Sequence, residues 1–303
     1  MGLDRRWLVL TALGVVALGL GGLFTGAIGA AFLGMKPFLP RPEVHLAADP
    51  LPWRIGPFTL RNTILSSWVT TVVLIALFVG GARSLKMVPG RWQNLVEVVF
   101  ESLYRFVEGV VGPRYARPFF PIIATIFLFV AFNAWLALLP FYPSLGFTEE
   151  VVKEGKSKTV FIPLLRSAGT DVNMPLALAL VSFAFVEFWG FRALGVSYLG
   201  KFFRVGNLLR GRLFQGVIDL FVGLLELLSE FIRIVSFTFR LFGNMTAGKI
   251  LLLVAAFLVT FVFAVPFYGL EILVGFVQAL IFAGLTTVFV ALAVTGHEEG
   301  EQH

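Results

Sequence analysis

No cysteine occurs among the 303 residues, which excludes a disulfide framework, a thiolate metal site and a cysteine nucleophile. Histidine is almost as scarce. His45, His297 and His303 all lie outside the long apolar runs, so an intramembrane zinc site of the H-E-x-x-H kind is excluded as well. Charge is also short: 14% of residues are Asp, Glu, Lys or Arg, against 58% hydrophobic. With a mean hydropathy of +0.89, the chain is too apolar for a soluble domain of ordinary composition. It lacks repeats of solenoid period and shows no similarity between its halves of the kind that marks many secondary transporters. What remains is an all-α polytopic membrane protein with no call for a cofactor. The net charge of +6 needs no nucleic acid partner, because Lys and Arg collect between apolar runs, where cytoplasmic loops are basic.

The apolar runs predict about six membrane helices. Residues 7–34 follow Arg5 and Arg6 and exceed the h-region of a signal peptide, so they read as a spanning helix with a cytoplasmic start; a cleaved signal is the alternative. Proline and polar groups in 35–61 predict an outside loop. A second span covers Ile64 to Gly81 and a third Phe119 to about Leu139, with "EEVVKEGKSK" in an outside loop after it. Between these two spans, "RWQNLVEVVFESLYRFVEGVV" carries Glu97, Glu101, Arg105 and Glu108 on one side and apolar residues on the other, the pattern of an amphipathic helix lying in the interface. The fourth span runs from Met174 to about Leu194. Its single carboxylate, Glu187, reads first as a helix-end group reaching toward water. Lys201, Arg204, Arg210 and Arg212 follow without an acidic residue, the clearest cytoplasmic signal in the chain.

From Leu213 to Phe263 the chain is helix-compatible and free of proline. At about 1.5 Å per residue such a helix is more than twice the roughly 30 Å of hydrocarbon, so it must tilt strongly or bend. At about 100° per residue, Asp219, Glu226, Glu230, Arg233, Ser236, Arg240 and Asn244 fall within an arc of about 120°. Against lipid a central charge costs at least ~2.5–3.5 kcal/mol, so this stripe is expected to face protein or water. Gly243, Gly248 and Lys249 nearly complete a phosphate-binding loop, but Ile250 stands where Ser or Thr is needed and no strand precedes the glycines; a nucleotide site is excluded. Two readings of Arg240 stay open on spacing alone: a functional charge, or a structural one neutralised by Glu226 or Glu230.

"SFTFRLFGNMTAGKI", which contains Arg240, closely resembles the signature of subunit a of the F-type ATP synthase, the stator of its membrane motor. Three further segments carry the resemblance: "TDVNMPLALAL" entering the fourth span, "VPGRWQNLVE" in the interfacial helix, and "EILVGFVQALIF" in the last helix, with Gln278 at a matching glutamine. Glu226 likewise stands where the family has a carboxylate fourteen residues before the arginine. The resemblance covers roughly 58–299 and divides the chain into an N-terminal helix and outside loop (1–57) and a subunit a domain (58–303).

The resemblance implies that the last two helices form a long, near-horizontal hairpin against a rotating ring of c subunits. Arg240 would be the essential arginine separating two aqueous half-channels. Asn244, Lys249, Glu271 and Gln278 would line the outside channel, with Glu226, Glu230 and Ser236 toward the cytoplasmic one and Asp171 a further candidate. At Lys249 the family usually has glutamate or histidine paired with the position of Glu271; here the two are expected to form a water-exposed ion pair. The implied partners are the c-ring, the b-subunit peripheral stalk, the remaining synthase subunits and the lipid bilayer, with no nucleotide or nucleic acid bound. The chain would not be an enzyme by itself. It would sit in the bacterial plasma (inner) membrane with both termini cytoplasmic. A proton-coupled secondary transporter is the rival reading, and would show repeat symmetry and a helix broken at the midplane. An intramembrane enzyme is disfavoured, because no nucleophile motif is present.

Overall fold

A computed structural model describes residues 5–39, 41–42, 48–82, 90–153, 156–202, 213–260 and 264–295. The basic residues Arg204, Arg210 and Arg212, and both chain ends, lie outside the described residues. The elements are α1 (Arg5–Thr25), α2 (Ala27–Leu33), β1 (Pro50–Ile55), β2 (Phe58–Arg61), α3 (Asn62–Ala82), α4 (Arg91–Leu136), α5 (Phe141–Ser144), β3 (Gly146–Lys153), β4 (Lys156–Pro163), α6 (Asn173–Leu194), α7 (Leu213–Leu258) and α8 (Val265–Thr295). Among the described residues, five helices are long and apolar enough to cross a membrane, and six when α1 and α2, bent by 61° at Gly26, count as one span. The protein is an all-α polytopic membrane protein.

α3 shows how lipid inverts the usual helix pattern. It buries Asn62, Thr63, Ser66 and Thr70 while exposing Trp68, Val72, Ile75 and Val79. Polar groups turn inward because hydrocarbon offers them no partner. Ser66, Ser67, Thr70 and Thr71 each donate to the carbonyl four residues back, which satisfies the hydroxyls within the helix.

α4 holds the interfacial helix and the third span as one element with a break at Gly112 (φ 76°, ψ 166°). A side chain there would be strained, and Pro113 directly after it starts the spanning part with a φ already set for helix. The core lies where α4, α6 and α8 meet. Phe119 packs edge-on against Phe185 (5.6 Å) and Trp189 (4.9 Å), and Phe237 of α7 meets Phe282 of α8 at 4.8 Å. Polar stitches fix α8 at the centre: Trp135 Nε1 donates to the Ile272 carbonyl at 3.0 Å, and the Ser182 and Thr286 hydroxyls are 2.7 Å apart. Gly275 lets α8 approach α4 closely, since a Cβ there would lie 2.7 Å from that of Ala134.

α7 is 46 residues long, or about 69 Å at 1.5 Å per residue. α7 ends at Leu258 and α8 begins at Val265, with Pro266 in its first turn, where its missing N–H costs nothing. Both expected outside loops contain antiparallel hairpins, β1 with β2 and β3 with β4. They share one end of the bundle: Asn62 Nδ2 donates to the Pro163 carbonyl and to Asp49, each at 3.2 Å. The N-terminal helices attach at this same end. A Cβ on Gly26 would collide with the Leu258 carbonyl, and the Thr25 and Thr260 hydroxyls are 2.7 Å apart.

Candidate functional site

The stripe on α7 does not present one uniform face. Glu230 is buried and forms a two-point ion pair with Arg233, at 2.6 and 3.1 Å, and Arg233 lies 3.8 Å over the Phe289 ring of α8. Glu226 is half-buried and Ser236 exposed. Arg240 is half-buried, with Ser236 Oγ accepting from its Nη2 at 3.4 Å, long for a hydrogen bond. Among the described residues no carboxylate is within ion-pair distance of Arg240. The structural reading, neutralisation by Glu226 or Glu230, therefore has no ion pair behind it, since Arg233 takes Glu230. Beside Arg240 the uncovered face of α7 is apolar, with Leu224, Phe231, Ile232 and Phe239 all exposed.

One turn beyond, Asn244 Nδ2 donates to Gln278 Oε1 at 2.6 Å. Gln278 is 2% exposed, so this amide pair joins the uncovered face of α7 to the inside of the bundle. The next step inward is Glu271, also buried. A Cβ on Gly248 would overlap its carboxyl group, so the glycine makes the space that the carboxyl occupies. Glu271 borders a cavity of about 160 Å³ at the hairpin end, lined also by Lys249, Arg166, Ser167, Tyr268 and Tyr142. That volume holds several waters, and Glu271, Lys249 and Arg166 in an otherwise mostly apolar lining offer them partners.

The expected ion pair between Lys249 and Glu271 is corrected here: among the described residues no salt bridge joins them. Gly248 takes up the Glu271 carboxyl, and Lys249, one position or about 100° further round the helix, feels the charges of Arg166 and Asp49 instead. Arg166 is buried and lies 3.9 Å from Asp49, and its Nε donates to Thr170 at 3.0 Å. Burial pulls its pKa down from the usual arginine value, while Asp49 and Asp171 oppose that pull by favouring the charged form. Asp171 accepts from Thr63 at 2.9 Å and from Asn173 Nδ2 at 2.8 Å, so it sits in this end network rather than on the cavity wall.

The structure thus gathers Asn244 with Gln278, and Glu271 with Lys249 around one cavity. It sets Arg240 and Ser236 at the edge of the uncovered face and places Glu226 and Glu230 toward the other end of α7. Sequence reasoning missed Arg166, Asp49 and Tyr142. An arginine inside "FIPLLRSAG" was a signal of the same kind as Arg240, an isolated charge in an apolar stretch. A family model for the ATP synthase A chain matches residues 64–291. ATP synthase subunit a of Gloeobacter violaceus is 31% identical over 276 residues, covering 90% of this chain and 98% of that protein. On both grounds the chain belongs to the ATP synthase A chain family.

Proposed function

We propose that the chain is the proton-translocating stator subunit of a rotary F-type ATP synthase, with two aqueous half-channels leading to and from a c-ring carboxylate and Arg240 between them. The observation that carries this reading is Arg240 itself. It is an arginine in the middle of a membrane helix, at the edge of an uncovered apolar face, with no carboxylate of its own chain paired to it among the described residues. A cation at membrane depth without a partner is expensive, so a partner carboxylate on another subunit accounts for both the charge and the bare face. The guanidinium holds its proton at accessible pH. It therefore favours the ionised ring carboxylate and blocks direct passage of protons.

The cavity bordered by Glu271 serves as the outside half-channel, and the Asn244–Gln278 amide pair links it to the ring-facing surface. Glu226, Glu230 and Ser236 belong to the cytoplasmic half-channel. Each proton crossing the potential yields ~2.3 kcal/mol per 100 mV, which rotation delivers to the ATP-making subunits; this chain performs no ATP chemistry. The c-ring, the b-subunit stalk and the other synthase subunits are its partners, in a bacterial inner membrane with both termini cytoplasmic. Residues 1–57 are an added N-terminal unit, and its α1 and α2 meet the end of α7 at Thr25 and Gly26. Purification from native membrane in mild detergent tests the assignment. A small hairpin-like proteolipid purifying with the chain is the expected result, and a lone transporter-like particle overturns it.

A further inference from the structure

In the half of α7 remote from the hairpins, three elements bring titratable groups together, of which the account above leaves Glu187 and Tyr198 unused. Glu187 is on α6, Tyr198 is on the 3₁₀ helix Gly195–Lys201, and Glu230 and Arg233 are on α7. The Tyr198 hydroxyl donates to Glu187 Oε1 at 3.2 Å. The charges of Glu230 and Arg233 also act on it.

The place is built to hold that phenol. Gly190 leaves room for the ring, since a Cβ there would be 2.6 Å from Cζ and 3.0 Å from the oxygen. Phe191 packs edge-on to the ring at 5.0 Å and Phe202 at 6.1 Å. The segment is itself seated on α7, because a Cβ on Gly223 would collide with the Phe202 carbonyl. Burial and the adjacent Glu187 and Glu230 charges push the Tyr198 pKa up, so the phenol keeps its proton at working pH. Glu230 and Tyr198 are both buried, at 5% and 3% exposed, and Glu187 is half-buried. A lone helix-end carboxylate reaching for water would need neither the glycine-lined slot nor a buried phenol.

We propose that Tyr198 and Glu187 complete the exit half-channel, passing protons from Glu230 to the membrane surface. The inference rests on the stator reading above. The step balances as a relay. Glu230, protonated by the arriving proton, gives it to the phenol oxygen as the phenol gives its own to the ionised Glu187 Oε1; Glu187 then loses that proton to water, Glu230 returns to its ion pair with Arg233, and Tyr198 ends unchanged. Among the described residues, Glu187, Tyr198, Glu230 and Arg233 set its pH response. Arg192, on the same helix as Glu187, stacks on Trp189 at 5.4 Å.

The test is passive proton flux through the membrane sector in vesicles stripped of the ATP-making head, with wild type, Glu187→Gln, Glu187→Asp, Tyr198→Phe and Arg240→Ala compared between pH 6 and 9, a range spanning about three decades of proton concentration. Gln keeps an acceptor for the Tyr198 hydroxyl but cannot carry a proton, and Phe keeps the packed ring. Both should lower flux about tenfold, with a water bypass limiting the loss, and Asp should restore most of it. Flux in Glu187→Gln and Tyr198→Phe equal to wild type across the range overturns the proposal, as does a loss that Asp fails to rescue in assembled complex. If Glu187→Gln does not assemble, Tyr198→Phe decides alone. Failure of the stator reading looks different: wild type and Arg240→Ala would then give the same flux as vesicles lacking the chain.

Discussion

Gly248→Ala perturbs the outside half-channel by a single methyl group. The added Cβ would lie on the carboxyl group of Glu271, overlapping both oxygens and Cδ, so the side chain must leave its present position. In a closed core such overpacking costs about 1–3 kcal/mol. Here the carboxyl borders a cavity of about 160 Å³ and can swing into it, which brings the cost toward that of an off-rotamer side chain, about 0.5–1.5 kcal/mol. The subunit should therefore still insert and assemble. Proton handling is less tolerant, because a 1 Å misplacement of a reacting group costs up to about a hundredfold. Passive flux in head-stripped vesicles should fall at least about tenfold, with complex assembly on native gels unchanged. Shortening the acid in Gly248→Ala/Glu271→Asp frees the contested space and should recover part of the flux. Wild-type flux in Gly248→Ala would refute the argument that Glu271 works from its place against Gly248.

The Asn244–Gln278 contact should be energetically coupled: Asn244→Ala and Gln278→Ala should each reduce proton flux, and the double variant should do little further harm, whereas additive losses would show that the amides act separately. Lys249→Ala and Glu271→Gln should combine additively in the same assay, since no ion pair joins them; strong non-additivity would restore the pair that sequence spacing suggested. Arg166→Ala should lower thermal stability in detergent by about 1–3 kcal/mol, because it leaves the half-shielded Asp49 and the hydroxyl of Thr170 without their buried partner. An unchanged melting temperature would show that this end network is not structural.

The spans were legible because lipid imposes one rule over some twenty residues, and the start of α6 at Asn173 and the end of α4 at Leu136 fall within a few residues of their expected positions. The break before the third span was legible too, in the change from amphipathic to apolar pattern, although the residue that makes it, Gly112, was not singled out. The two β-hairpins were not legible. Their strands are short and carry charges, and pairing with each other and with the start of α3 fixes them. At the site, Arg240 stood out by its cost in the membrane. The neighbours of Glu271 did not, because spacing places Lys249 on the right helix face yet cannot show that Gly248 offers the closer approach. Tyr198 was invisible for a similar reason: its slot exists only once Gly190 and the following turn are folded together.

Proton-driven ATP synthesis in inverted membrane vesicles carrying Arg240→Ala tests the central claim most directly. The chain should insert and assemble, since among the described residues Arg240 makes a long bond to Ser236 and a distant contact with the Phe237 ring at 5.8 Å, with no ion pair. Synthesis should be abolished, and Arg240→Lys should not restore it, because an ammonium lacks the planar fork of donors. ATP synthesis at the wild-type rate in assembled Arg240→Ala complexes would contradict the account.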